Sequence, residues 1–96
     1  MVLPGQRLSW QYHHRRAEYW RAVDTDVGYY KSKTDDMGDL ETLSAGEFVR
    51  FDAGDRHRLV GLDQVGIVAE IWQHTNPDNP SDEEDIIRVQ DDYKRN

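Results

Sequence analysis

The chain has 96 residues and no cysteine, with 12 Lys and Arg against 19 Asp and Glu for a formal net charge of -7. That length holds one domain and no second core, and the missing cysteines exclude disulfides and thiolate metal sites. The acidic balance speaks against a nucleic-acid partner, which needs a basic surface. No apolar run is long enough to span a membrane, and the N-terminus has no basic-then-apolar signal pattern, so the expected location is cytoplasmic. With 36% hydrophobic residues in so short a chain, the core is modest. Added stability is expected from a bound metal or a partner subunit.

The prevailing period along the chain is two, which predicts strands. Over 7–13, Arg7, Ser9, Gln11 and His13 share one face and Leu8, Trp10 and Tyr12 the other. Further strands are predicted over 18–23 and 27–33, followed by a turn over 34–39 in which Gly38 is free to take a positive φ. Residues 47–51 read as a strand closed by the turn Asp52-Ala53-Gly54-Asp55, and 56–60 and 66–73 as two more, split by Gly61-Leu62-Asp63. The two prolines within 76–81 make that stretch a loop. Over 82–89 an acidic, helix-like start meets β-branched Ile86, Ile87 and Val89, and the pattern leaves helix and strand both open. About six or seven short strands of this kind predict an all-β fold, an antiparallel barrel or sandwich.

Charge is unevenly placed. Asp78, Asp82, Glu83, Glu84, Asp85, Asp91 and Asp92 accompany only Arg88, whereas Arg7, Arg15, Arg16 and Arg21 accompany only Glu18. Either both stretches are solvated surface, or the acidic tail lies near the basic region of its own or a neighbouring subunit.

The chemistry-bearing residues are Gln11, His13, Glu18 and His57. Gln11 and His13 stand at i and i+2 on one predicted strand, so both point to one side. Glu18 follows after a stretch that can turn the chain back, and His57 lies in a strand after a Gly-containing turn. A barrel brings such strands together, and imidazole, carboxylate and amide oxygen suit zinc, iron, cobalt, nickel or manganese. On spacing alone, surface histidines remain the commoner reading.

Three segments carry a resemblance. The run 5–20 (GQRLSWQYHHRRAEYW) resembles the first motif of the cupin family as type II mannose-6-phosphate isomerases carry it, with the order Gln-x-His-x4-Glu. The run 46–59 (GEFVRFDAGDRHRL) is similar to the second motif, and 84–93 (EDIIRVQDDY) to the closing segment of that group. The resemblance implies a small cupin double-stranded β-helix (a jelly-roll barrel), as one domain over 1–96 with 76–96 an acidic C-terminal extension. It also implies one divalent metal, zinc first, held by Gln11, His13, Glu18 and His57. Departures are Arg15 and Tyr19 where the family has His, Asp52 for Pro, Gly61 for Asn, and Thr25 where a Gly usually closes the first motif. Measured against that family, the chain is expected to begin at the first motif and to lack a nucleotidyltransferase domain.

The function so implied is a metal-dependent aldose–ketose sugar-phosphate isomerase, mannose-6-phosphate isomerase-like; the alternative is a non-catalytic, metal-holding cupin that binds a sugar. A metal-dependent oxygenase is a third reading, which the Gln-His-Glu-His set disfavours. Arg16, Arg58 and Arg88, all inside matched motifs, are the candidate binders of a phosphorylated sugar, with Arg58 expected to face away from His57. Glu70, a carboxylate in an apolar strand, is the candidate catalytic base, its pKa raised by burial, and Arg88 is counted with it as catalytic. A homodimer is expected too: if Gln11 and His13 face inward, Leu8, Trp10 and Tyr12 form an outward apolar patch. The competing cover for that patch is the C-terminal segment carrying Ile86, Ile87 and Val89.

Overall fold

The computed structural model describes residues 1–92; Tyr93 of the closing motif and the last three positions of the acidic extension lie outside the described residues. Eight strands follow in chain order: β1 Trp10–Tyr12, β2 Arg16–Ala22, β3 Val27–Ser32, β4 Glu41–Leu43, β5 Phe48–Phe51, β6 Arg56–Val60, β7 Val68–His74 and β8 Ile87–Gln90. They form a five-stranded sheet in the order β4-β3-β6-β1-β8 and a three-stranded sheet in the order β5-β2-β7, antiparallel throughout. No helix among the described residues is long and apolar enough to cross a membrane.

Alternation decides which face of each strand turns inward. On β2, Glu18, Trp20 and Ala22 are buried while Arg21 is exposed. The apolar core joins Trp20 and Ala22 to Val27, Phe51 and Leu59, with Val2 from the N-terminal segment and Leu43 from β4. Because both sheets contribute, the core lies between them, and the interior row that continues past it is polar. In that row Gln11 of β1 stands directly opposite His57 of β6 and Arg88 of β8, and His57 in turn opposite Lys31 of β3.

Several boundaries differ from the sequence pattern. The predicted strand over 7–13 is regular only at Trp10–Tyr12. Its earlier part still tracks β6 through the Arg7–Val60 bridge and the Leu8 amide to the Leu59 carbonyl, and a register irregularity falls between Trp10 and Gln11. Strand β4 has no amphipathic pattern to announce it. The ambiguous 82–89 stretch divides: Asp82 accepts the amides of Glu84 and Asp85 in a turn, and Ile87 and Val89 then enter β8.

The outward face of β1 is covered within the chain, which corrects the patch expectation. Trp10 is 1% exposed, its indole N–H donates to the Asp35 carbonyl at 2.9 Å, and β8 pairs alongside it. Arg58 completes the cover, donating to the Leu8 carbonyl, the Met37 thioether and Gln90. Trp10 therefore needs no second copy to leave water, and the argument that led from it to a homodimer falls. The acidic tail does meet the basic region of its own chain: Arg7 pairs with Asp92 at 2.5 Å and Arg15 with Asp82 at 3.2 Å.

Two glycines are required by position. Gly54 has φ 87 in the Asp52–Asp55 turn and donates to the His13 carbonyl at 2.8 Å, so it needs the left-handed region that other residues resist. At Gly61 a side chain has no room: an added Cβ would lie 1.9 Å from the Leu3 carbonyl oxygen, because the N-terminal segment runs across it through the bond from the Gly61 amide to Gln6. This accounts for the absence of the Asn found there in the family it resembles. Gly61→Ala should cost about 1–3 kcal/mol by forcing the N-terminal segment away, seen as a lower urea midpoint; an unchanged midpoint would show that segment to be dispensable.

Candidate metal centre

His57 reaches the site from near the start of β6 and Glu18 from the first half of β2, so the two come from opposite sheets. His13 follows the end of β1, at the corner where the chain turns into β2. The corner is tied by Asp85, whose carboxylate accepts the amides of His14 and Arg15, both at 2.9 Å, and the Ser81 hydroxyl at 2.7 Å. The Asp85 carbonyl lies 2.5 Å from His13 Nδ1. A carbonyl only accepts, so Nδ1 carries the proton and a neutral His13 ring presents the Nε2 lone pair to the interior.

The three side chains converge. His13 Nε2 is 2.8 Å and His57 Nε2 3.6 Å from Glu18 Oε2, and one ligand atom from each lies within 4.8 Å of the others. Exposures of 3%, 1% and 2% for His13, Glu18 and His57 put all three out of water. Trp20 holds the carboxylate from behind, its indole N–H donating to Glu18 Oε1 at 3.0 Å. The His57 ring packs against Trp20 and Phe51 at centroid distances of 5.0 and 4.9 Å.

Whether these residues fit a metal is answered by His57. Both of its ring nitrogens are buried without a hydrogen-bond partner, a state that buried polar atoms rarely keep. A divalent ion bonded at about 2.0–2.2 Å to one nitrogen of each ring and to the carboxylate oxygen would satisfy His57 Nε2 and hold the ligand atoms a little over 3 Å apart. The observed separations bracket that value, so the set fits.

Electrostatics separate the two carboxylates nearby. Burial would raise the Glu18 carboxyl, but the close approach of His13, His57 and Glu70 outweighs it and holds the group well below the usual carboxylate range. Glu70, from β7, goes the other way: burial, then the hydrogen bond to Glu18 and the Glu18 charge, push it up to about 7 against the lowering contact of Trp72. Burial also pushes the His57 pKa down, with Glu18 opposing. This is the direction expected of Glu70 from its place in an apolar strand, with the neighbouring carboxylate as a second cause.

The remaining expected residues divide. Gln11 shares the interior row with His57, but its Oε1 accepts the Ser9 hydroxyl at 2.5 Å. Arg88 is exposed, on the same row and opposite Gln11. Two of the candidate phosphate binders are engaged within the chain. Arg58 alternates with His57 on β6 and faces out of the barrel, committed to Leu8, Met37 and Gln90. Arg16 is buried: it donates to Glu18 Oε2 at 2.9 Å and to Ser81 Oγ and the Asp82 carbonyl, both at 3.2 Å. Its guanidinium also lies 3.5 Å over the Trp72 ring, and in this arrangement no edge of it is open to a phosphate. Asp85 and Trp72 were not singled out by sequence. Asp85 stands inside the closing motif, which was the only available signal, and nothing local marks Trp72.

No family model matches the chain. It is 32% identical over 99 residues to the mannose-1-phosphate guanylyltransferase of Escherichia coli (strain K12), a match covering 98% of this chain and 18% of that protein. The chain thus spans less than a fifth of the curated relative it matches. Among solved structures, BH2720 from Bacillus halodurans superposes with a TM-score of 0.69 at 11% identity, over 83% of this chain and 62% of that one. CapF, a capsular polysaccharide assembling protein from Staphylococcus aureus, superposes with a TM-score of 0.62 at 18% identity, over 92% of this chain and 24% of that one. At such identities the likeness speaks for the fold alone. Two antiparallel sheets rolled around a buried His–Glu–His set make that fold the small cupin double-stranded β-helix.

Asp85 generates a prediction. Burial alone would raise its carboxyl, but the Ser81 hydroxyl, the His14 and Arg15 amides and the Arg15 charge lower it to about 2. A carboxyl depressed on folding contributes stability above its unfolded pKa and loses it as pH falls through the folded value. Between about pH 4 and pH 2 the protein should therefore lose about 2 kcal/mol from this group. Urea titrations across that range should show a shallower pH dependence for Asp85→Asn; parallel curves would remove Asp85 from this role.

Proposed function

We propose that this domain binds a divalent metal through His13, Glu18 and His57 and acts on a phosphorylated sugar as an aldose–ketose isomerase, with mannose 6-phosphate the first substrate to test. The observation that carries the reading is the buried His13–Glu18–His57 set with both His57 nitrogens unpartnered; Glu70 stands opposite Trp20 on the face that Glu18 shares. The likeness to a mannose-1-phosphate guanylyltransferase supports a sugar phosphate as ligand class. Nitrogen and oxygen donors suit zinc first, and iron, manganese, cobalt or nickel after it. Gln11, opposite His57, is the group placed to add a fourth ligand oxygen.

The metal's contribution is to polarise a carbonyl and the neighbouring hydroxyl. Glu70 is the base of the proposal on position: it stands on β7 opposite Trp20 and faces the same interior as Glu18. It takes the proton from the carbon beside the carbonyl; the C–H electron pair becomes the carbon–carbon double bond and the carbonyl π pair moves to its oxygen, which takes up a proton to give the enediol. Returning the carbon-bound proton to the former carbonyl carbon while the neighbouring hydroxyl gives up its proton in turn moves the carbonyl by one position and completes the isomerisation. Arg88, exposed beside Gln11, is placed to hold the phosphate with two N–H groups. A second reading, a non-catalytic cupin that holds metal and binds a sugar, draws on the burial of all three ligands to 3% exposure or less.

Elemental analysis of the purified protein, followed by a coupled assay on mannose 6-phosphate, separates the readings. His13→Ala and His57→Ala should abolish stoichiometric metal and lower the Tm, because metal binding free energy is folding free energy here; Gln11→Ala should weaken binding less. A protein that carries no metal and takes up none would sink the assignment. Metal without turnover leaves the binding module.

Arg88→Ala should weaken phosphosugar binding roughly tenfold or more while metal content stays the same, since a guanidinium lost from a phosphate site costs recognition and not coordination. Calorimetry with mannose 6-phosphate and with mannose checks both halves. Equal affinity of variant and parent removes Arg88 from the site. Equal affinity for sugar and sugar phosphate removes the phosphate clamp.

A further inference from the structure

Trp72 stands two residues after Glu70 on β7, so the two side chains share the inward face. Pairing with β2 sets Glu70 opposite Trp20 and Trp72 opposite Glu18. The Trp72 indole N–H donates to Glu70 Oε1 at 2.6 Å. The ring itself rests on the Arg16 guanidinium, which lies 3.5 Å from its centroid. Arg16 is 6% exposed and is held by Ser81 Oγ and the Asp82 carbonyl, each at 3.2 Å. The closing segment thus fixes Arg16, Arg16 supports the indole, and the indole holds the carboxyl group.

We propose that Trp72 is a positioning residue for the isomerisation: by holding Oε1 it aims the Glu70 carboxyl group into the barrel. The inference rests on Glu70 being the base of the isomerase reading and adds the group that orients it. Glu70 needs such a hold because β7 is an outer strand of its sheet. Its side chain keeps 38% of its surface exposed, and an untethered carboxylate there would turn toward water. An indole suits the task, since it has only two side-chain torsions to fix and its ring is already packed on Arg16.

The bond outlasts the proton transfer it serves. A carboxyl group accepts a hydrogen bond in both of its protonation states, so Trp72 keeps its partner as the base takes up a proton. The accepting oxygen of a carboxylic acid is its carbonyl, which directs that proton to Oε2. Covering Arg16 is the other task the ring serves, and it needs only an aromatic face. The N–H separates the two roles.

Trp72→Phe keeps an aromatic ring over Arg16 and removes the donor. Variant and parent, both loaded with Zn2+, are compared in the coupled assay on mannose 6-phosphate, with zinc content and Tm measured on the same samples. The kcat should fall roughly tenfold or more while KM, zinc content and Tm stay close to the parent's. An unchanged kcat in a folded variant overturns the proposal and leaves Trp72 the cover of Arg16. A raised KM at unchanged kcat overturns it as well, because the ring would then be touching substrate. If the parent turns over no sugar phosphate, the isomerase reading itself fails, and the positioning role with it. A second measurement needs neither turnover nor a folded Phe variant. The indole 15N–1H signal of Trp72 in the parent should lie downfield of free indole and return toward it in Glu70→Ala; an unmoved signal refutes the hold on Glu70.

Discussion

A carboxylate at 1% exposure sets the terms for the whole barrel. Removing Glu18 from water is costly unless its charge is matched and its oxygens are hydrogen-bonded. Trp20 covers one oxygen, while Arg16, His13 and His57 crowd the other. These partners come from β2 itself, from the corner after β1 and from β6, so satisfying one carboxylate fixes how the two sheets meet. The apolar cluster of Val2, Trp20, Val27, Phe51 and Leu59 gives the barrel its hydrophobic floor. It does not by itself choose the register that places His57 over Glu18.

Asp85 extends that constraint to the end of the chain. Its carboxylate ties the amides of His14 and Arg15, and its carbonyl orients the His13 ring. Seventy-two positions separate His13 from Asp85, so the closing segment is part of the site's geometry and not an appended tail. The same segment supplies β8, which lies along β1 with Gln90 opposite Trp10. One stretch therefore orients a ligand on the inside of the barrel and covers an aromatic on the outside.

The sequence made legible those features that local pattern controls. Alternation located β2, β3, β6 and β7 to within two residues at their ends, and the turn at Gly54 was marked by its glycine. Strand β4 was missed because Glu-Thr-Leu is too short to show a period. Resemblance, and not spacing, singled out His13, Glu18 and His57, which the barrel does bring together. Misreadings fell where long-range partners decide. Arg16 has the side chain of a phosphate binder, but Trp72, Ser81 and Asp82 convert it into a buried cation, and none of them is near it in sequence. Trp10 faces outward by period two as expected, yet the segment carrying Asp35 and strand β8 meet it there. A strand pattern gives the face of a side chain and says nothing about what arrives from elsewhere to bury it.

The division between central and edge strands carries the last step. Glu18 stands on β2 and His57 on β6, each hydrogen-bonded to a neighbour on both sides, whereas Glu70 stands on β7 and Arg88 on β8, the outer strands of their sheets. A strand paired on both sides has little freedom and little access to water, which suits ligand atoms that must hold fixed separations. An edge strand exposes its side chains: Glu70 keeps 38% of its side-chain surface, and Arg88 is exposed. The two groups proposed to meet substrate are thus the two the architecture leaves reachable, while the set proposed to hold the ion is sealed behind them. Between them lies Arg16, buried on a central strand but reaching the Glu70 side.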